Sequence, residues 1–252
     1  MATETLFTRL LRQARPRYPR LVNQPAAGSL STVEDPREKK QYYIENTTTR
    51  RILTYLLTVI FSFLTKIRIH GLEHLPENGG LILAANHLTN FDVFPMQIAL
   101  PRLVFFMGKE ELFRNFILDA ALRRMGGFPV HRGAGDQWAL KHAGRVLKAG
   151  QVLGIFPEGS RSKGRGLGAG KTGAARLALE SGCPIVPLAI AGTQKMFRGS
   201  FKRVPVTIHI GPPIYPLPGE SPLELTDRVM FTLAEMLPVE LRGVYAQRPE
   251  GF

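Results

Sequence analysis

Short uncharged apolar runs recur along this 252-residue chain, most of them followed by a turn and a helix-length segment. Leu81–Ala85, Leu103–Phe106, Phe128–Val130, Val152–Phe156, Ile185–Ala191 and Val206–Ile210 are too short for ordinary helices and read as buried strands. Between them, Asp92–Leu100, Glu110–Met125, Gln137–Ala149, Thr172–Ser181 and Ser221–Leu237 read as helices. Pro95 sits in the first turn of one of them, and Gly150 and Gly182 stop two others. Strand and helix in alternation imply an α/β fold, a mostly parallel central sheet flanked by helices. In such sheets, ligands bind beyond the carboxyl ends of the strands. At 44% hydrophobic, the chain has enough apolar residues for one such core.

Two motifs follow predicted strands directly. Asn86-His87-Leu88-Thr89-Asn90-Phe91-Asp92 leaves the Leu81–Ala85 run. Phe156-Pro157-Glu158-Gly159-Ser160-Arg161-Ser162 closes the Val152–Phe156 run. Histidine titrates near neutrality and can take a proton from a hydroxyl. A carboxylate on its other ring nitrogen would fix the tautomer and stabilise the imidazolium, and Asp92 is close enough in sequence to do this. By itself, His-x4-Asp is a loose pattern that more often describes a turn histidine and a helix cap; its place after a buried strand and the presence of the second motif favour the base pair here. In the second motif, Pro157 and Gly159 force a turn that presents Glu158 and Arg161. Arg161 can hold a phosphate in bidentate fashion. Glu158 can accept from polyol hydroxyls or from backbone amides.

The chain also carries Gly127-Phe128-Pro129-Val130-His131-Arg132 and Pro184-Ile185-Val186-Pro187-Leu188, with His70-Gly71-Leu72-Glu73-His74-Leu75-Pro76 leading in. Taken in order over about residues 69–211, these blocks resemble the PlsC-like glycerolipid acyltransferases, typified by 1-acylglycerol-3-phosphate O-acyltransferase. One departure is Pro129, where the family usually has an aromatic or aliphatic residue. The resemblance implies transfer of a fatty acyl group from acyl-CoA or acyl-acyl-carrier protein to the free hydroxyl of 1-acylglycerol-3-phosphate (lysophosphatidic acid), giving phosphatidic acid. It implies His87 as the base, Asp92 as its orienting partner, and no covalent acyl-enzyme. It also implies Arg132 and Arg161 as the phosphate pair, with Glu158 and Gly159 at the glycerol moiety. Lys109 resembles a family lysine near the acceptor phosphate, and a solvated lysine is its plainer reading. His131 is expected to be incidental.

The remaining features bound the partners. With 33 Lys+Arg against 20 Asp+Glu, the net charge of +13 favours anionic partners without choosing among them. No aromatic nucleic-acid motif is interleaved with the basic residues, so no nucleic acid is expected. Gly164–Thr172 resembles a phosphate-binding loop but has Arg165 where a glycine is required; it reads as a loop leading into a helix that adds positive charge near the site. The histidines lack ligand spacing and Cys183 is the only cysteine, so no metal, cofactor or internal disulfide is expected.

Three units are expected: a basic, partly irregular appendage over 1–50, an apolar membrane-associating helix over 51–68, and the acyltransferase domain over 69–252. Thr3–Arg15 is compatible with a short amphipathic helix. No secretory signal opens the chain. The apolar run Ile52–Thr65 is short for a spanning helix, which needs about 20 residues. Either it is a buried core helix or it embeds in one leaflet with basic ends in the headgroups; Arg50, Arg51, Lys66 and Arg68 around it favour the second. The expected location is a membrane, as a monotopic or peripheral protein on the cytoplasmic face. Two alternatives remain from sequence: another lysolipid acceptor, and a non-catalytic binder of anionic lipid or nucleic acid.

Overall fold

The computed structural model describes residues 35–42, 48–131, 135–196 and 203–249. Its centre is a seven-stranded sheet in the order β1-β7-β6-β2-β5-β3-β4. The strands are β1 (Thr65–His70), β2 (Leu81–Ala85), β3 (Val104–Lys109), β4 (Gly127–Val130), β5 (Val152–Ile155), β6 (Ile185–Ala191) and β7 (Val204–Ile210). All neighbours pair in parallel except β6 with β7. The mostly parallel α/β sheet expected from the alternating runs is therefore present, with β1 and β7 running against the other five strands.

Among the described residues, six helices flank it: α1 (Thr48–Leu64), α2 (Val93–Ala99), α3 (Phe116–Arg124), α4 (Gln137–Lys148), α5 (Gly173–Ser181) and α6 (Pro222–Met236). Every residue of β2 is buried, because helices cover both faces. Alternate side chains serve opposite cores. Ile82 and Ala84 join Leu153, Ala143, Ala178 and Met230 beneath α4, α5 and α6. Leu81, Leu83 and Ala85 join Met96, Leu100, Val186 and Ile208 on the other side. Each large side chain buried this way contributes about 1.5–3 kcal/mol, so β2 is held from both sides.

Three expectations change. The apolar helix stops at Leu64 rather than reaching residue 68, because Thr65–His70 form β1. Along β1 only Thr65 is buried and Lys66, Arg68 and His70 are exposed, the period-two pattern of an edge strand that directly abuts the apolar run. Second, Glu110–Met125 is not one helix. A 3-10 turn at Glu110–Phe113 is followed by a break at Asn115, whose side chain accepts from the amides of Ile117 (3.0 Å) and Leu118 (3.1 Å) and starts α3. Third, residues 35–42 do not hang free as part of an appendage. Arg37 bonds Asp35 and Asp136, lies 4.4 Å over the Trp138 ring, and is followed by Tyr42 in the core. Burial works to raise the Asp136 carboxyl, but hydrogen bonds from Arg37 and from the His131 and Ala139 amides hold it below the usual range. The expected Thr3–Arg15 helix lies outside the described residues.

α1 packs one stripe inward: Phe61, with Leu57 and Leu64 beside it, meets Phe94 and Ile98 of α2 and Met196. Its opposite stripe, Ile52, Tyr55, Leu56, Ile60 and Phe63, is apolar and exposed. Neither reading of this run therefore covers the whole helix: half of it is core. Among the described residues, no helix is long and apolar enough to cross a membrane.

Candidate active site

The two motifs meet at the carboxyl ends of β2 and β5. His87 leaves β2 and Asp92 begins α2, and the intervening turn brings His87 Nδ1 to 3.0 Å from Asp92 Oδ2. Asp92 is fully buried. Its Oδ2 also accepts the Thr89 amide at 2.7 Å, and its Oδ1 accepts the hydroxyls of Thr193 (2.6 Å) and Thr89 (3.3 Å). A buried carboxylate is tolerated only when its lone pairs are filled in this way. The His87 ring stacks on Phe156, with centroids 4.0 Å apart and planes 15° off parallel. With Nδ1 on the carboxylate and one ring face on Phe156, the position that remains for a reacting hydroxyl is Nε2.

The second motif clamps the first through the backbone. Glu158 Oε1 accepts the His87 amide at 2.7 Å, and the Ser162 amide donates to the His87 carbonyl at 2.8 Å. Glu158 Oε2 accepts the Gly168 amide at 2.9 Å. Of the two kinds of donor open to Glu158 from sequence, backbone amides occupy both oxygens. Burial pushes its carboxyl upward, opposed by those two amide bonds. Gly159 has φ +67, and Lys171 lies so close that a Cβ there would stand 3.0 Å from its ammonium nitrogen. The Gly164–Thr172 loop, read from sequence as a source of positive charge, thus delivers Lys171 beside the Glu158–Ser162 turn.

Arg161 is exposed beyond that turn and has no ion pair among the described residues. Lys109, at the end of β3, is exposed and pairs with Glu111 at 2.7 Å. Arg132 lies outside the described residues. His131 bridges Glu110 (2.8 Å) and Asp136 (3.2 Å), away from the His87 pair in the bonding network. Among the described residues, no three His, Cys, Asp or Glu side chains gather as metal ligands.

Sequence reasoning gave no role to Asn86, Phe156, Thr193 or Gly168. Asn86 reaches across to β6, donating to the Ile190 carbonyl (2.8 Å) and accepting from the Ile190 amide (2.7 Å). This bond fixes the end of β2 against the end of β6. Gly192, with φ +106, then turns the chain so that Thr193 faces Asp92; any side chain there would collide with the Pro205 carbonyl. Asn86 and Phe156 could have been noticed as the polar and aromatic residues bounding the motifs. Thr193 carried no local signal, lying 101 residues from its partner.

A family model described as Acyltransferase matches residues 66–191. The 1-acyl-sn-glycerol-3-phosphate acyltransferase of Bacillus subtilis is 32% identical over 161 residues, covering 63% of this chain and 79% of that relative. The chain belongs to the PlsC-like acyltransferase family. Within that family, the chloroplastic 1-acyl-sn-glycerol-3-phosphate acyltransferase BAT2 of Brassica napus is 31% identical over 179 residues, and the match spans 51% of its length. Among solved structures, the 1-acyl-sn-glycerophosphate acyltransferase PlsC from Thermotoga maritima superposes with a TM-score of 0.62 at 26% identity, covering 73% of this chain and 76% of that one. All four sequence blocks named from the resemblance lie inside residues 66–191.

Proposed function

We propose that this enzyme transfers a fatty acyl group from an acyl thioester, acyl-CoA or acyl-acyl-carrier protein, to the free hydroxyl of 1-acylglycerol-3-phosphate, giving phosphatidic acid. The observation that carries the chemistry is the His87 Nδ1–Asp92 contact of 3.0 Å. His87 Nε2 takes the proton as the hydroxyl oxygen attacks the thioester carbonyl. A C–O bond forms, the C–S bond breaks, and the departing thiolate recovers the proton from the imidazolium. Asp92 stabilises that imidazolium in passing. No metal or cofactor enters the scheme; the acyl thioester is a co-substrate.

The acceptor's phosphate is assigned to the cationic rim: Arg161 and Lys171, with Arg132 and Lys109 by the family resemblance. Support for a phosphate over an uncharged headgroup comes from Arg161, an exposed guanidinium on the mouth of the site with no ion pair among the described residues. Glu158 acts one step back, holding the His87 backbone in register, and Gly159 lets the turn pack against Lys171. The exposed apolar stripe of α1 serves as a monotopic or peripheral contact with the cytoplasmic face of a membrane, where a lysolipid resides.

The test is to incubate the purified chain in liposomes with lysophosphatidic acid and each donor in turn, with His87→Ala in parallel. Phosphatidic acid from the unmodified chain alone is the expected result. Equal product from His87→Ala would remove the base assignment, and product only from other lysolipids would replace the acceptor.

A further inference from the structure

The helix α3 is inside out for a helix in water. The one residue of α3 that is buried is a carboxylate, Asp119, bonded to Arg123 and Lys40. Its first three residues are Phe116, Ile117 and Leu118, and the first two are 78% and 65% exposed. Leu112, in the turn just before, is also exposed. Four large apolar side chains at one helix tip exceed the scattered exposure that folded surfaces ordinarily show. The Asn115 cap holds them there as rigid structure.

Topology places this tip. The turn at Glu110–Phe113 directly follows β3, so the tip stands at the carboxyl end of the parallel strands, the end from which His87 emerges. α1 ends at the same rim. β1 is parallel to β7, β7 is antiparallel to β6, and β1 therefore starts at the same end of the sheet where β2, β5 and β3 finish, a few residues beyond those ends. Phe63, 76% exposed, is two residues before that start. β1 and β3 are five strand spacings apart in the sheet order, which at ~4.8 Å each is roughly 24 Å. Two exposed apolar clusters thus bracket the site, one towards each edge of the sheet.

We propose that the α3 tip is a second lipid contact, so that the protein rests on an anionic bilayer through two separated points with the mouth of the site between them. A flat apolar layer under an anionic surface is the partner that meets both clusters at once. The charge agrees: Arg114 sits within the tip and is exposed, and Arg161 and Lys171 lie on the same rim. The nearby acids are already paired, Glu111 with Lys109 and Glu110 with His131. The net charge of +13 adds long-range attraction to anionic headgroups. The inference rests on the reading of the acceptor as a membrane lysolipid and adds a specific orientation to it.

The experiment uses the full chain and vesicles of phosphatidylcholine with or without phosphatidylglycerol. Phe116→Trp introduces a fluorophore at the tip; the unmodified chain, whose one tryptophan, Trp138, is buried, is the control. Brominated lipid in anionic vesicles should quench the variant and leave the control bright. The double variant Phe116→Ser/Ile117→Ser should lose vesicle affinity on the order of tenfold and lose activity on vesicle-borne acceptor, with kcat on detergent-dispersed acceptor unchanged. Absence of quenching together with unchanged vesicle affinity overturns the proposal. So does a loss confined to acyl-carrier-protein donor, which would make the tip a protein-docking surface. Quenching in a chain that acylates no lysolipid would uphold the lipid contact and remove the proposed reaction instead.

Discussion

The Thr193 hydroxyl donates to Asp92 Oδ1 at 2.6 Å, on the carboxylate oxygen opposite the one that holds His87. Both residues are buried, so this bond is made in a low-dielectric setting where a hydrogen bond to a charge contributes about 1.5–3 kcal/mol. Thr193 therefore acts through Asp92, fixing the rotation of the carboxylate that holds His87. Thr193→Val keeps the shape and removes the donor. A fall in kcat of roughly tenfold or more is expected, with KM for both substrates little changed and recovery in Thr193→Ser. Steady-state kinetics on the three proteins decides it; a variant at full kcat would show that Thr89 alone holds Asp92 in place.

Arg161→Ala removes an exposed cation that has no ion pair among the described residues. The apparent KM for the phosphate-bearing acceptor should rise about tenfold or more, with stability unchanged. Titrating acceptor at saturating donor gives the answer. An unchanged KM would move the phosphate to other cations of the rim.

Glu158→Ala should behave differently, because it strips two backbone amides of their acceptor. Each of these part-buried N–H groups left unpaired costs about 1–3 kcal/mol, so a stability loss of roughly 2–6 kcal/mol in urea unfolding should accompany a fall in kcat. A rise in KM alone, at native stability, would return Glu158 to direct contact with the glycerol moiety.

His142 should make the fold sensitive to acid. It is buried against Trp138, with ring planes 10° apart, and neither ring nitrogen has a partner among the described residues. Burial, with Arg145 adding to it, lowers its pKa from 6.5 to about 4. Between those values the unfolded chain binds a proton that the folded chain refuses, so stability falls as pH drops from about 6.5 to about 4. The linkage amounts to about 3 kcal/mol. In His142→Phe that share of the pH dependence should vanish, read as urea midpoints measured across the window. An identical slope in the variant would assign the acid sensitivity to other groups.

How far the sequence reaches can be seen residue by residue. Strands buried on both faces, such as β2 and β6, announce themselves as unbroken apolar runs, and they were legible to within a residue or two. β1 was not, because its alternation of exposed Lys66 and Arg68 with half-buried Ile67 and Ile69 directly follows the apolar run of α1. The Asn115 break was hidden for a similar reason: a polar residue inside a helical pattern reads as surface until its side chain is seen capping the next turn.

The sequence by itself determined the α/β class and the motifs at the strand ends, since these depend on local pattern; its resemblance to a family pointed to the pairing of His87 with Asp92, and the fold brought the two to 3.0 Å. Tertiary structure alone decided what holds that pair. Thr193 reaches Asp92 from the end of β6, Glu158 reaches the His87 amide from beyond β5, and Asn86 ties β2 to β6. Such contacts join segments some 70 to 100 residues apart through the order of strands in the sheet, and no local preference of the chain encodes that order.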